Sequence, residues 1–450
     1  MSGGGDPEWV HRTGPELHPD PSRVLARLFL PGQELMSSGT SRAAAVIDRI
    51  LALDEQTATA VLADTVSRFA DRHHDLLGTF RAHFSLVAHR IAGAAELSAT
   101  RRDLLGAYFT QEYALEAAAL FNPSLVAHPD QAGLADGELR FVMSLRAVGE
   151  GHVSSIEFRT GVLGGAGGPR LDAPDPHPST GTVAPVWLSS DQRAAPPPGD
   201  RAEPARDATY WVRYDADRPL SARVVFPTAA VESNGIEDAR FVRFTGGDRP
   251  TWHATYTAYD GTSVAPRLLT TEDFVTFESR RQEGPSAKDK GMALFPRKVG
   301  GRYLALTRWD RESLGLTSST DAVRWGASTT LTRPGRPWEL VQLGQCGSPV
   351  ETDAGWLVLT HGVGPMRTYG IGAMLLDLED PTRVLGSLQA PFLTPTAQER
   401  DGYVPNVVYS CGGLVHAGQL VLPYGCSDAV VRFALVDLGP LLARLQGRGE

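Results

Sequence analysis

Short strand-forming segments that recur at a near-constant interval set the strongest limit on how this chain can fold. From Asn122 onward the sequence offers FVMSL, SSIEF, RFVRF, TWHATYTAY, RYLALTRW, WLVLTHGV, GAMLLDL, GQLVLPYG and VVRFALVDL, each rich in Val, Leu, Thr or aromatics and bounded by Gly, Asp or Pro. One module opens near Asn122 and others near Glu237, Lys290, Gly347 and Pro405, the last four about 50–60 residues apart. Within modules a Gly-containing turn feeds an aromatic or aliphatic strand, as in KVGGRYLALTRWD, ETDAGWLVLTHGV and VHAGQLVLPYG. Five such modules predict a mainly β chain, a five-bladed β-propeller around a channel. A β-sandwich also uses short, evenly spaced strands and is the simpler alternative.

The N-terminal part reads differently. Residues 1–40 are punctuated by Gly and Pro and predict an extended arm; residues 41–120 lack Pro and predict an α-helical domain. Ala45, Val46, Ile50, Leu51 and Leu53 recur at three- and four-residue steps, as do Leu76, Leu77, Phe80, Phe84 and Val87, and Ser98 precedes ATRRDLLGAYF as an N-cap. Stripes of this kind must bury against something, so the N-terminal helices are expected to mediate self-association into a homo-oligomer. The propeller domain is expected over 121–445, interrupted by a Pro/Gly-rich insert at about 161–208 whose composition cannot build a core.

Composition removes several classes of function. A net charge of −9 and the lack of any Lys/Arg run argue against nucleic-acid partners. No apolar run of about 18 residues exists to span a membrane. The N-terminus has no charged n-region leading into an apolar stretch, and the three cysteines, Cys346, Cys411 and Cys426, fit reduced thiols, so a cytoplasmic protein is expected. His73 and His74 are adjacent on a helix and face apart, and no metal or cofactor motif appears, so none is expected.

Chemistry concentrates at strand ends. Glu237 and Asp238 are adjacent carboxylates in GIEDARFVRF, and neighbours on a strand face opposite ways, so one can point into a channel. Lys290, Arg308 and His361 stand at equivalent ends of successive modules, a cationic set suited to an oxyanion such as phosphate. Trp252, Tyr256, Trp309, Tyr369 and Tyr424 lie near them and could stack on sugars or fill the core.

The succession NPS (122–124), GIEDAR (235–240), YTAYDG (256–261), ALFPRKVGGRYLALTR (293–308), GWLVLTHGV (355–363), YGIGAMLLDLEDP (369–381) and YGCSD (424–428) resembles glycoside hydrolase family 130, whose members include β-mannoside phosphorylases and β-mannosidases on a five-bladed propeller. The resemblance implies that Asp238 is the general acid, acting through the sugar's 3-hydroxyl. It implies phosphate binding at Lys290, Arg308, His361 and Tyr369, and a mannosyl unit held by Asn122, Ser124 and Asp428; Glu237, the neighbour of Asp238, and Tyr256, among the aromatics above, are further candidates for contact with the substrate. The sequence departs from the family in reading E-D-A-R for E-D-P-R and Lys at the first phosphate position. SLRAVGEGHVSSIEFRTG (144–161) is more elaborate than usual and adds Arg146, Glu150, His152, Glu157 and Arg159 as residues that could reshape the substrate site.

The expected function is therefore cleavage of β-mannosidic linkages in an oligosaccharide with inversion, by phosphorolysis to mannose 1-phosphate with inorganic phosphate as co-substrate. Hydrolysis by an inverting β-mannosidase stays open if Glu150 or Glu157 serves as the base that deprotonates water. A non-catalytic sugar-binding propeller is the reading from another class, and the Asp238 block argues against it.

Overall fold

The computed structural model describes residues 6–32, 41–164, 168–185 and 209–448. Residues 1–5 and 33–40 of the expected arm, and 165–167 and 186–208 of the expected insert, lie outside the described residues. The chain divides into two compact units, one made of Met1–Asp20, Glu116–Asp175 and Ser179–Glu450, the other of Pro21–Leu115 with Pro176–Pro178.

The smaller unit carries four α-helices, Arg42–Leu51, Glu55–Phe69, Leu76–Val87 and Ala99–Tyr108. Each begins at a short polar residue whose side chain accepts a backbone N–H: Ser41, Asp54, Asp75 and Ser98. Ile47, Ile50, Phe84, Val87, Leu104 and Leu105 form their shared core. The helices of Phe80 and Gly106 approach so closely that a Cβ on Gly106 would fall 1.9 Å from the Phe80 carbonyl oxygen. The unit is not purely helical. Strands Val24–Leu28 and Thr110–Ala114 pair antiparallel within it, and the next strand has begun by Ala119.

The larger unit is mainly β. Among the described residues its strands fall into sheets of five, eleven, four and five strands. This corrects the expected fold class, a five-bladed β-propeller with an N-terminal α-helical region: the sheets are unequal, none closes on itself, and the helices are few and share their unit with strands. The physical reason lies at Gly235. It pairs in parallel with Ser154 at one position and so joins the meander Ala119–Leu163 to the meander Gly235–Arg281 in one eleven-stranded sheet. Gly235 has φ +131, and a Cβ there would lie 2.4 Å from Ser154 Oγ, so only glycine allows the two edges to meet. A repeat interval counts modules but cannot say whether neighbouring edges fuse.

Strand Val10–Leu17 pairs with Val430–Asp437, joining the two ends of the described chain in one sheet. The pairing is pinned by Glu399. Its buried carboxylate accepts Arg12 Nη1 at 2.5 Å, Tyr424 Oη at 2.9 Å and Arg432 Nη1 at 3.1 Å. No helix among the described residues is long and apolar enough to cross a membrane.

Candidate active site

Three polar residues from three separated segments share a rare backbone state. Asn122 (φ +51), Asp238 (φ +55) and Asp428 (φ +51) are all left-handed, a conformation that Asn and Asp tolerate better than most residues. Two of them sit in strand irregularities. The register slips between Phe121 and Ser124 against Leu139–Val148, and between Glu237 and Arg240 against Thr251–Tyr259. A bulge adds a residue and turns its side chain out of the ordinary alternation. Backbone strain of this kind persists only where the surroundings impose it, and it gathers at functional sites.

The side chains converge accordingly. Asn122 Nδ2 donates to Asp238 Oδ1 at 2.6 Å, and Arg146 Nη1 stands 3.5 Å from the same oxygen. Arg146 Nη2 donates to Glu237 Oε1 at 2.8 Å, while Lys290 Nζ pairs with the other Glu237 oxygen. Arg240 Nη1 donates to the Asp238 carbonyl at 3.0 Å and Nη2 to Tyr409 Oη at 2.8 Å, with Asp238 Oδ2 3.8 Å away.

A second cluster touches the first through Tyr409. Its ring meets that of His361 at a steep angle, 4.9 Å between centroids, and Tyr369 lies nearly parallel to His361 at 6.1 Å. Arg308 Nη1 is 3.3 Å and Gln342 Nε2 3.1 Å from His361 Nε2. Arginine can only donate, so Nε2 accepts and the ring proton is on Nδ1. Burial, then the charges of Arg308 and Arg240, hold the imidazole well below its ordinary pKa, so it is neutral at neutral pH. Gly344 faces the ring, and a Cβ there would stand 2.7 Å from His361 Cε1.

The two aspartates are pushed in opposite directions. Burial would raise Asp238, but Arg146, Arg240, Lys290 and the Asn122 bond together hold it below the ordinary carboxylate range. Asp428 is pushed up to about 7, by burial first and by the negative charge of Asp238 second, against the pull of Arg146 and Arg367. The two carboxyl groups thus hold different protonation states near neutral pH.

A stability prediction follows from Asp428. Between about pH 4, where an unfolded aspartate ionises, and about pH 7, the folded chain holds a proton that the unfolded chain has lost. Stability therefore falls as pH rises across that window. Asp428→Asn, which has no proton to lose and suits a left-handed residue, should melt above the parent protein at pH 8, and the difference should shrink toward pH 4. Equal slopes of melting temperature against pH in the two proteins would remove the assignment.

The remaining residues singled out from sequence lie elsewhere or serve the frame. Ser124 is fully buried, and its Oγ accepts the Phe241 backbone N–H at 3.0 Å. Tyr256 is buried in a network with Glu232 (2.6 Å) and Ser279 (2.7 Å). Glu157 is wholly buried beside Arg159, which also bonds Glu116. His152 is exposed and stacks on Tyr403, with 3.1 Å between Nδ1 and the phenol oxygen, and Glu150 is exposed. Arg240, Tyr409, Gln342 and Asp289 belong to the clusters and carried no assigned role in the sequence reading. Arg240 could have been found from its place two residues after Asp238; Tyr409 stands in no recognisable motif. A cavity of about 770 Å³ lined by Trp9, Phe392 and Arg444 shares no residue with these clusters. Among the described residues no group of three or more His, Cys, Asp or Glu is placed to hold a metal ion.

Residues 218–446 match a family described as beta-1,4-mannooligosaccharide phosphorylase. A beta-1,2-mannobiose phosphorylase of Listeria innocua is 34% identical over 231 residues, 49% of this chain and 63% of its own length. A 1,2-beta-oligomannan phosphorylase of a Thermoanaerobacter species is 31% identical over 214 residues, 46% of this chain and 70% of its own length. In three dimensions, a beta-1,2-mannobiose phosphorylase from Listeria innocua in complex with beta-1,2-mannobiose superposes with a TM-score of 0.51 at 22% identity, covering 74% of this chain and 93% of that one.

Proposed function

We propose, since the chain belongs to glycoside hydrolase family 130, that it cleaves β-mannosidic linkages with inversion, using inorganic phosphate as nucleophile and releasing mannose 1-phosphate. The observation that carries this reading is the continuity of Asp238, Arg240, Tyr409, His361 and Arg308 in one chain of contacts. It sets a carboxyl group beside a cationic cradle completed by Lys290.

The chemistry divides between the two clusters. Asp238 supplies the proton for the departing oxygen, and the bond between that oxygen and the sugar's anomeric carbon breaks. A phosphate oxygen forms the new bond from the opposite face, held by Arg308 and Lys290. Phosphate arrives as an anion and needs no base, whereas water needs a second carboxylate. Glu157 is locked against Arg159 and Glu150 is exposed, which supports phosphorolysis over hydrolysis. In the empty site Asp238 is anionic. An incoming phosphate offsets the positive potential of Lys290, one of the cations that hold Asp238 down, and raises Asp238 toward the protonated form the reaction requires. Cys346, Cys411 and Cys426 are buried free thiols, which supports a cytoplasmic setting.

Incubation with β-mannobioses, with and without phosphate, should give mannose 1-phosphate only when phosphate is present. Arg308→Ala should raise the KM for phosphate by about 10- to 100-fold, the worth of a hydrogen bond to a charged group, with a smaller change for the mannoside. Release of free mannose at a rate independent of phosphate would replace this reading with hydrolysis.

A further inference from the structure

The cationic cradle already contains an anion of its own. Asp289 immediately precedes Lys290 and has a left-handed backbone, φ +61. Its Oδ2 lies 3.8 Å from Arg308 Nη2 and its Oδ1 3.7 Å from Arg311 Nε. Both distances are within ion-pair range and too long for hydrogen bonds. Asp289 therefore acts on Arg308 through charge, while the closer contact of Arg308 is with His361. The two arginines are unequal. The side chain of Arg308 is 12% exposed and that of Arg311 79%. Charge acts strongly on the buried guanidinium, and water and salt weaken it at the exposed one.

Resting on the phosphorolytic reading above, we propose that Asp289 is a built-in counter-anion that sets how tightly the site holds phosphate and mannose 1-phosphate. In the empty site it neutralises Arg308, as Glu237 neutralises Lys290. An incoming phosphate meets Asp289 as a like charge and binds more weakly than the number of cations suggests. The same repulsion acts on the phosphorylated product and speeds its departure. Arg311 tempers the effect by sharing the Asp289 carboxylate on the solvent side. The opposing possibility is that Asp289 merely orients Arg308, and it predicts weaker binding of phosphate and of mannose 1-phosphate when Asp289 is neutralised.

Asp289→Asn keeps the shape and suits a left-handed residue. It should lower the dissociation constant of inorganic phosphate, measured by calorimetry without sugar, by about 3- to 30-fold, the effect of removing one nearby like charge. Inhibition by mannose 1-phosphate should tighten in parallel, and kcat should fall because product leaves more slowly, while kcat/KM for the mannoside stays within about twofold. Arg311→Ala should weaken phosphate binding, and that loss should vanish in the Asp289→Asn/Arg311→Ala double variant, a coupling that two independent surface charges do not give. Unchanged or weaker phosphate binding by Asp289→Asn overturns the proposal. If the parent protein binds phosphate but turns over without it, the phosphorolytic reading falls while tighter binding by Asp289→Asn still upholds the role of Asp289. If the parent binds no phosphate, both fall.

Discussion

Asp238→Asn should lower turnover of a β-mannobiose with phosphate by about 10²- to 10⁴-fold, the usual worth of a positioned general acid. The substitution retains the carbonyl oxygen that accepts from Asn122 and fits the left-handed backbone at φ +55, so the loss reports on the proton and not on the fold. Two controls separate these causes. The melting temperature should stay close to that of the parent, and an aryl β-mannoside, whose leaving group needs little protonation, should recover much of the lost rate. Retention of more than about a tenth of the parent activity on the unactivated disaccharide would take the acid role away from Asp238.

The second large effect belongs to Arg240. It is 2% exposed, donates to the Asp238 carbonyl and to Tyr409 Oη, and stands within ion-pair distance of the Asp238 carboxylate. Arg240→Met keeps the bulk and removes every one of these interactions. Breaking a buried ion pair from one side is expected to cost about 3–5 kcal/mol, read by urea unfolding. Its second signature is electrical. Arg240 is among the cations that hold Asp238 down, so the Asp238 pKa should rise in the variant. An acid must be protonated to act, and activity is lost as pH rises through its pKa; the alkaline limb of the pH–rate profile should therefore move to higher pH. A loss of stability with the limb unmoved would mean that Arg240 serves the fold alone.

The parts of the site written as consecutive residues were legible in the sequence. GIEDAR put Glu237 and Asp238 side by side, with Arg240 two positions on but passed over, and the strand-end cations Lys290, Arg308 and His361 stood out by position. Contacts assembled from distant segments were hidden. Tyr409 meets Arg240 across 169 residues with no local pattern to mark it. Tyr256 misled because an aromatic in a sheet covered on both faces looks the same from sequence whether it lines a channel or a core. Glu157 misled for a related reason. A carboxylate in the elaborate 144–161 segment reads as a candidate for the substrate site or for the base, but Arg159, two positions on and on the same face, compensates it inside the protein. The sheet count failed at the single contact between Gly235 and Ser154, which no periodicity encodes.

The pairing of Val10–Leu17 with Val430–Asp437 has a consequence for how the protein is made. His11 and Asp437, opposite ends of one contact, are 426 positions apart. At translation speeds of about 5–20 residues per second, the early strand waits roughly 20 to 90 seconds for its partner. Asp20 N–H bonds Glu116 Oε2 at 2.8 Å, so the chain leaves and re-enters the larger unit at adjacent points. The smaller unit can thus finish while the ribosome is still producing the strands of the larger one. Throughout that interval the backbone of Val10–Leu17 is an open edge on a growing nascent chain, a ready target for chaperones or for mispairing with a neighbouring polypeptide.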